Sequence, residues 1–349
     1  MNGEILAFIV YFVAIVGVGI YFFFKEKGDA TQANFFLGGR QMGPWVAAMS
    51  AQASDMSAWL LMGLPGSILA FGFGQMWIGI GLALGTAANW IFVAKRLRKF
   101  SSAAGDAITV PQYLGNRFLS KSNALQVICA IIFFVCFTIY VASAYVAGAS
   151  VFTAIFPSLS SHAAMIIFAL AMLLITFFGG FKAVCWTDFF QGILMFAALM
   201  TVPIVIAITK DMDPAALSVV YSYKDAVSGE MVECSFGTGL FDASWQDIIS
   251  GLAWGLGYFG MPHILVRFMS IEKPSMVKKS ATVAIIWVIC ALGCACLIAY
   301  FGRMFFAEEL LTELNLSQIA KNEILGREFG KVDLSGGQWQ KLAMARAFY

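Results

Sequence analysis

The sequence predicts an all-α polytopic membrane protein of about eight transmembrane helices, arranged as an inverted repeat. Three observations carry that prediction. Of the 349 residues, 60% are hydrophobic and only 12% are charged, against about 25% charged in a soluble domain; the mean hydropathy is +0.81. Apolar runs recur along residues 1–302, each near the length of a spanning helix. Two of those runs are interrupted by helix-weakening residues, five spans apart and in opposite orientation, which points to an inverted-repeat secondary transporter.

The runs lie at roughly 5–24, 44–70, 74–94, 125–155, 161–179, 185–209, 246–268 and 281–302. Each meets or approaches the ~20 residues a spanning helix needs. Met1 to Glu4 carries no basic residue, so the first run reads as a span rather than a cleaved signal. The second run holds Gln52–Gly66, in which Ser54 and Ser57 flank Asp55 and Gly63, Pro65 and Gly66 follow. A carboxylate at the bilayer centre costs about 2.5–3.5 kcal/mol on insertion scales. Proline and glycine weaken the regular helix and free backbone carbonyls. A charge, two hydroxyls and loosened backbone suit a small hard cation, which takes oxygen ligands. An Asp capping a helix end or facing a buried partner is the plainer alternative.

The seventh run reads Gly251-Leu-Ala-Trp254-Gly255-Leu-Gly257-Tyr258-Phe-Gly260-Met-Pro262. So many glycines, with a proline, make a poor regular helix. Spans 2–6, about residues 44–209, then form one repeat. Spans 7 and 8, about 246–302, begin a second, and span 1 stands outside both. The loop at 210–245 is acidic and rich in Gly and Ser, and reads as a surface excursion.

Charge sets the expected orientation. Fourteen Lys and Arg residues, among them Lys25, Arg40, Lys95, Arg98, Lys182, Arg267 and Lys279, fall in alternate loops, and only Lys210 and Lys224 fall in the others. The positive-inside rule puts the N-terminus outside and the fourteen inside, in a plasma membrane. The net charge of +2 names no partner by itself, and no nucleic-acid partner is expected. The seven cysteines lie almost all in apolar runs and read as small buried hydrophobes. Two histidines are too few for a histidine metal site, and no metal other than sodium is expected.

Gly38-Gly39-Arg40 through Gly66, the run Gly179-Gly180-Phe-Lys182-Ala-Val-Cys-Trp186-Thr187-Asp188-Phe-Phe-Gln191, and Trp254 to Arg267 together resemble the sodium/solute symporter family over about residues 1–305. The resemblance implies the ten-helix inverted-repeat (LeuT-like) fold with an extra N-terminal helix, truncated here. It also implies a transporter and not an enzyme, with sodium as coupling ion, no other cofactor, and a small proline-like solute carried across the bilayer. Carried over, the sodium site takes the carbonyls of Ala53 and Met56, with Asp55 and Ser57 close by. Its hydroxyl pair comes from a later helix with no counterpart in this sequence. The family's usual Gly after Ser57 is Ala58. The substrate pocket takes Ser57, Tyr140, Trp254, Tyr258 and Pro262. Trp254 and Tyr258, four apart, would share a helical face, and an aromatic wall with one polar pole fits a compact zwitterion. Ordinary packing is the alternative for each. Arg40 reads either as a gate residue or as an inside-loop arginine. Asp188 reads as a transport residue or as a charge favoured at a helix N-terminus.

From about residue 307 the composition turns polar. Asp333-Leu334-Ser335-Gly336-Gly337-Gln338 with the following Lys341 and Arg346 resembles the signature segment of ATP-binding-cassette ATPases, where a helix N-terminus holds a phosphate. No G-x-x-x-x-G-K-[ST] loop accompanies it, so nucleotide binding is not expected. The sequence thus divides into a symporter-like domain at 1–306 and a foreign-looking tail at 307–349. Three functions compete: sodium-coupled symport, incomplete in this chain; a non-transporting fused or truncated membrane fragment; and an ATP-driven transporter subunit. The missing phosphate loop argues against the last.

Overall fold

The computed structural model describes residues 3–26, 31–156, 158–209, 212, 214, 217, 220–224, 231–235 and 237–305. Among them the chain forms helices α1 (Gly3–Glu26), α2 (Gln32–Leu37), α3 (Pro44–Ala58), α4 (Leu64–Phe71), α5 (Met76–Ala88), α6 (Lys95–Ala103), α7 (Val110–Arg117), α8 (Ala124–Ile155), α9 (Ser161–Thr209), α10 (Trp245–Ala253), α11 (Pro262–Ser270) and α12 (Val277–Phe305). The loop read as a surface excursion contains an antiparallel hairpin of β1 (Val220–Lys224) and β2 (Met231–Ser235), with Val220 opposite Ser235. The tail from residue 307, with its ATPase-like segment, lies outside the described residues.

Five described helices are long and apolar enough to cross a membrane, or six when the broken helix at Trp245–Ser270 is counted as one span. The chain is a multi-pass membrane protein. The remaining predicted runs are modified rather than lost. Run 44–70 is divided between α3 and α4 by a π turn at Trp59–Gly63. Such a turn widens the helix by one residue and recurs at functional sites. Runs 161–179 and 185–209 join as α9, broken only at Gly180, with φ 58° and ψ −166°. That backbone region is essentially restricted to glycine, and a Cβ there would come within 3.2 Å of the Phe35 ring. One glycine therefore does what a connecting loop was expected to do.

The chain divides into two compact units. The first comprises Met1–Ala58, Gly85–Met195 and Gly257–Val288. In it, α1 lies against α8 and the start of α9: Phe8 and Phe12 pack on buried Ala149, Phe152 and Ala164, with Phe8 edge-on to Phe152 at 5.1 Å. Helix α3 is tied to the end of α11 by Met42 N–H donating to the Ser270 carbonyl at 3.1 Å and Glu272 N–H donating to the Met42 carbonyl at 3.1 Å. Buried Trp90 and Phe268 meet with ring centroids 4.4 Å apart. The outward face of α8 shows Ile128, Ile131, Phe134, Val135 and Ile139, an apolar surface suited to lipid.

The second unit comprises Trp59–Leu84, Phe196–Leu256 and the part from Ile289. Here α5 and α10 meet at glycines: a Cβ on Gly81 would lie 2.3 Å from the Gly251 carbonyl oxygen. Small residues at such a contact let two helix backbones approach within a membrane, where apolar burial gives no driving force. Phe73 N–H donates to the Gly237 carbonyl at 2.7 Å, and the Trp77 indole N–H donates to the Leu240 carbonyl at 2.8 Å. Arg303 Nη1 donates to the Leu69 carbonyl at 2.7 Å.

Candidate functional site

Helix α3 supplies the polar residues of the first unit's interior. Ser50 and Ser54 are four apart and share a face; both meet Asp188 of α9 and Arg267 of α11. The Ser50 and Ser54 hydroxyls donate to Asp188 Oδ2 at 2.8 and 2.7 Å. Arg267 Nη2 donates to the same oxygen at 2.7 Å, and Arg267 Nε donates to the Ser50 hydroxyl at 2.6 Å. Arg267 Nη2 also donates to the Ser54 hydroxyl. Asp188 and Arg267 are both buried, so a charge pair and two hydroxyls satisfy one another away from solvent. Asp188 is therefore no helix-terminal charge: it lies inside α9, beyond the Gly180 break, and its partner is a side chain. Arg267, read from the sequence as an inside-loop basic residue, is that partner.

Asp55 sits on the same helix but belongs to a second cluster. Its carboxylate accepts a hydrogen bond from Tyr258, while Oδ2 is buried without a partner among the described residues. Asn89 Nδ2 donates to the Tyr258 carbonyl at 2.8 Å, which fixes the backbone just before the break in the interrupted span. Ala53 and Met56 lie in the last turns of α3, just before the π turn. The interruption thus begins at Trp59, earlier than the glycines and proline from which it was expected. The backbone of Ser57 continues α3, and its side chain lies outside the described residues.

A third group surrounds the start of α11. The Tyr140 hydroxyl donates to the Ser54 carbonyl at 3.1 Å, and its ring stacks on His263 at 5.7 Å. Pro262 opens α11, where its fixed φ and missing N–H cost nothing. Both ring nitrogens of His263 are buried without partners among the described residues. Its only signal in the sequence is that it is one of two histidines, too few for a histidine metal site. Tyr258 and Trp254 do not share a face as an α-helix would require. Residues Trp254–Gly260 form a 3₁₀ helix, whose three-residue turn carries positions four apart to different sides. Tyr258 is 2% exposed; Trp254 belongs to the second unit and stacks on Trp59 at 5.7 Å.

Arg40 closes the end of this unit. Its Nε donates to Asp106 Oδ1 at 2.9 Å, Nη1 to the Ser101 hydroxyl at 3.1 Å and the Met269 carbonyl at 2.8 Å, and Nη2 to the Ala107 carbonyl at 2.8 Å. Burial pulls the Arg40 guanidinium below its ordinary value and Asp106 opposes the shift; an arginine stays charged regardless. Arg98 donates to the carbonyls of Ile271 and Glu272 beside it. Arg40 thus holds α6, the loop after it and the end of α11 together.

Residues 35–329 match the Sodium:solute symporter family. The chain belongs to that family. It is a family of transporters, not of enzymes. The match runs past residue 307, where the foreign-looking tail was expected to begin, and ends at 329, before the Asp333–Arg346 stretch. The sodium/proline symporters of Staphylococcus aureus strains JH9 and NCTC 8325 are each 40% identical to the chain over 296 residues, covering 85% of it and 55% of their own length. The chain thus spans about half the length of the curated relatives it matches. A solved structure of a Na+-coupled sialic acid symporter, substrate-bound and outward-open, superposes with a TM-score of 0.66 at 17% identity, covering 96% of the chain and 64% of that structure. That likeness shows the LeuT-like fold.

Proposed function

We propose that this member of the symporter family serves the sodium-coupled uptake of a small solute, L-proline being the expected one, across the plasma membrane. The carrying observation is Asp55: a carboxylate on the interrupted second span, buried with an unpartnered oxygen. A carboxylate in a site that excludes water favours a dehydrated cation and is balanced by it. In this reading the carbonyls of Ala53 and Met56, with Asp55 and Ser57, favour sodium. Ser57, Tyr140, Tyr258 and Pro262 contribute to the solute pocket. His263 joins them because its ring stacks on Tyr140. The Asp188–Arg267 pair and Arg40 hold helices whose rearrangement alternating access requires. The identity to sodium/proline symporters supports proline as the solute.

The test is a chimera in which residues 1–305 replace the matching part of the Staphylococcus aureus symporter. Labelled proline uptake is measured in sodium and in choline, in cells without other proline carriers. Sodium-dependent uptake is expected, and Asp55→Asn is expected to reduce it at least tenfold at unchanged membrane level. A chimera that reaches the membrane but takes up no proline would remove the proline assignment. Normal sodium dependence in Asp55→Asn would remove the sodium role.

A further inference from the structure

Beside Asp55 lies a cavity of about 10 Å³, lined by Gln52, Asp55, Thr86, Asn89, Trp90 and Tyr258 among others. Two of these residues bring an oxygen that is buried and has no partner among the described residues, Asp55 Oδ2 and Asn89 Oδ1; the Thr86 hydroxyl, which bonds the Tyr258 hydroxyl, lines the same space. Asn89 is fully buried and Thr86 is 3% exposed. Leaving one such group unpaired costs about 1–3 kcal/mol, more for a charged one, so two converging on one small space, beside a hydroxyl with a lone pair to spare, call for a common occupant. The volume is that of roughly one water-sized particle, too small for an amino-acid solute. Thr86 lies in the last turn of α5 and Asn89 opens the π turn that follows, and both line the cavity with Asp55.

We propose that Asp55, Thr86 and Asn89 form a binding site for a single dehydrated cation of sodium's size, in which Thr86 and Asn89 are ligands. A carboxylate, a hydroxyl and an amide carbonyl are all hard oxygen donors, the set such a cation prefers. The ion's charge balances Asp55, whose neighbour Arg267 is already held by Asp188 at 2.7 Å. Tyr258 donates to the carboxylate and so orients it. All lining residues belong to one compact unit, so the site does not depend on the second. Neither Ala53 nor Met56 lines the cavity, so Asp55 alone is common to this site and to the set of carbonyl ligands. It rests on the sodium-coupled reading for the identity of the ion.

The test is binding of radioactive sodium to the purified full chain in lipid nanodiscs, with choline as the replacement salt. Thr86→Val removes the hydroxyl at nearly constant shape, and Thr86→Ser keeps it. At least a tenfold loss of sodium affinity is expected in Thr86→Val, with Thr86→Ser within threefold of the parent. Thermal unfolding in choline is expected to be the same for all three, and the upward shift that sodium causes in the parent is expected to vanish in Thr86→Val. Equal sodium affinity in the parent and Thr86→Val means the cavity holds water only, and overturns the site while the sodium-coupled reading stands. No sodium binding by the parent, in a chain whose chimera transports, likewise overturns the site alone. Loss of sodium dependence in the chimera overturns the coupled reading itself.

Discussion

Arg267 and Asp188 show what a single residue costs in this interior. Each is buried, and each is satisfied mainly by the other and by Ser50 and Ser54. Breaking a buried pair by removing one partner leaves an uncompensated charge and costs about 3–5 kcal/mol, whereas replacing both partners by apolar residues costs far less. Arg267→Leu is therefore expected to lower the yield of folded protein and its thermal midpoint sharply. Arg267→Leu with Asp188→Leu is expected to recover much of the midpoint, without recovering uptake in the chimera. A double variant no better than the single one, measured by fluorescence-detected size exclusion after heating, would show that packing, not charge, sets the loss.

At the scale of elements, the glycine break in α9 is the sharpest constraint. Gly180 holds φ 58° and ψ −166°, with the Phe35 ring 3.2 Å from where a Cβ would stand, closer than ordinary van der Waals contact. Gly180→Ala is expected to cost about 1–3 kcal/mol, read as a lower thermal midpoint, while Gly17→Ala, at a helical glycine whose Cβ would meet nothing within 4 Å, is not. Indistinguishable midpoints for Gly180→Ala and the parent would show that the helix straightens without penalty. The other breaks have different origins. The second span is widened by a π turn at Trp59–Gly63. The seventh is wound tightly as 3₁₀ at Trp254–Gly260 and then restarted by Pro262.

For the whole molecule, orientation is the property on which the proposed function turns, because coupled sodium entry would be directional. The fourteen-to-two distribution of Lys and Arg supports an outside N-terminus. Phe100 is exposed near the end of α6. In a background with the native cysteines replaced by serine, Phe100→Cys is expected to resist a membrane-impermeant maleimide in intact cells and to react after permeabilisation. Strong labelling of intact cells would reverse the orientation.

The sequence by itself determined the class, the approximate spans and the two interrupted helices, because lipid demands long apolar runs and glycine and proline mark where they fail. It also singled out Asp55, since a carboxylate inside such a run has no cheap explanation. Only the tertiary structure decided partners. Arg267 and Asp188 are far apart in sequence, so nothing local could show that one neutralises the other or that Ser50 and Ser54 complete the pair. Thr86 and Asn89 were legible only as two polar residues three apart in an apolar span. Their meaning came from the helix packing that turns both toward Asp55. The reading of Trp254 and Tyr258 as one face failed because the local helix is 3₁₀. Periodicity assumes an α-helical turn, and the winding of a glycine-rich segment is set by what packs around it.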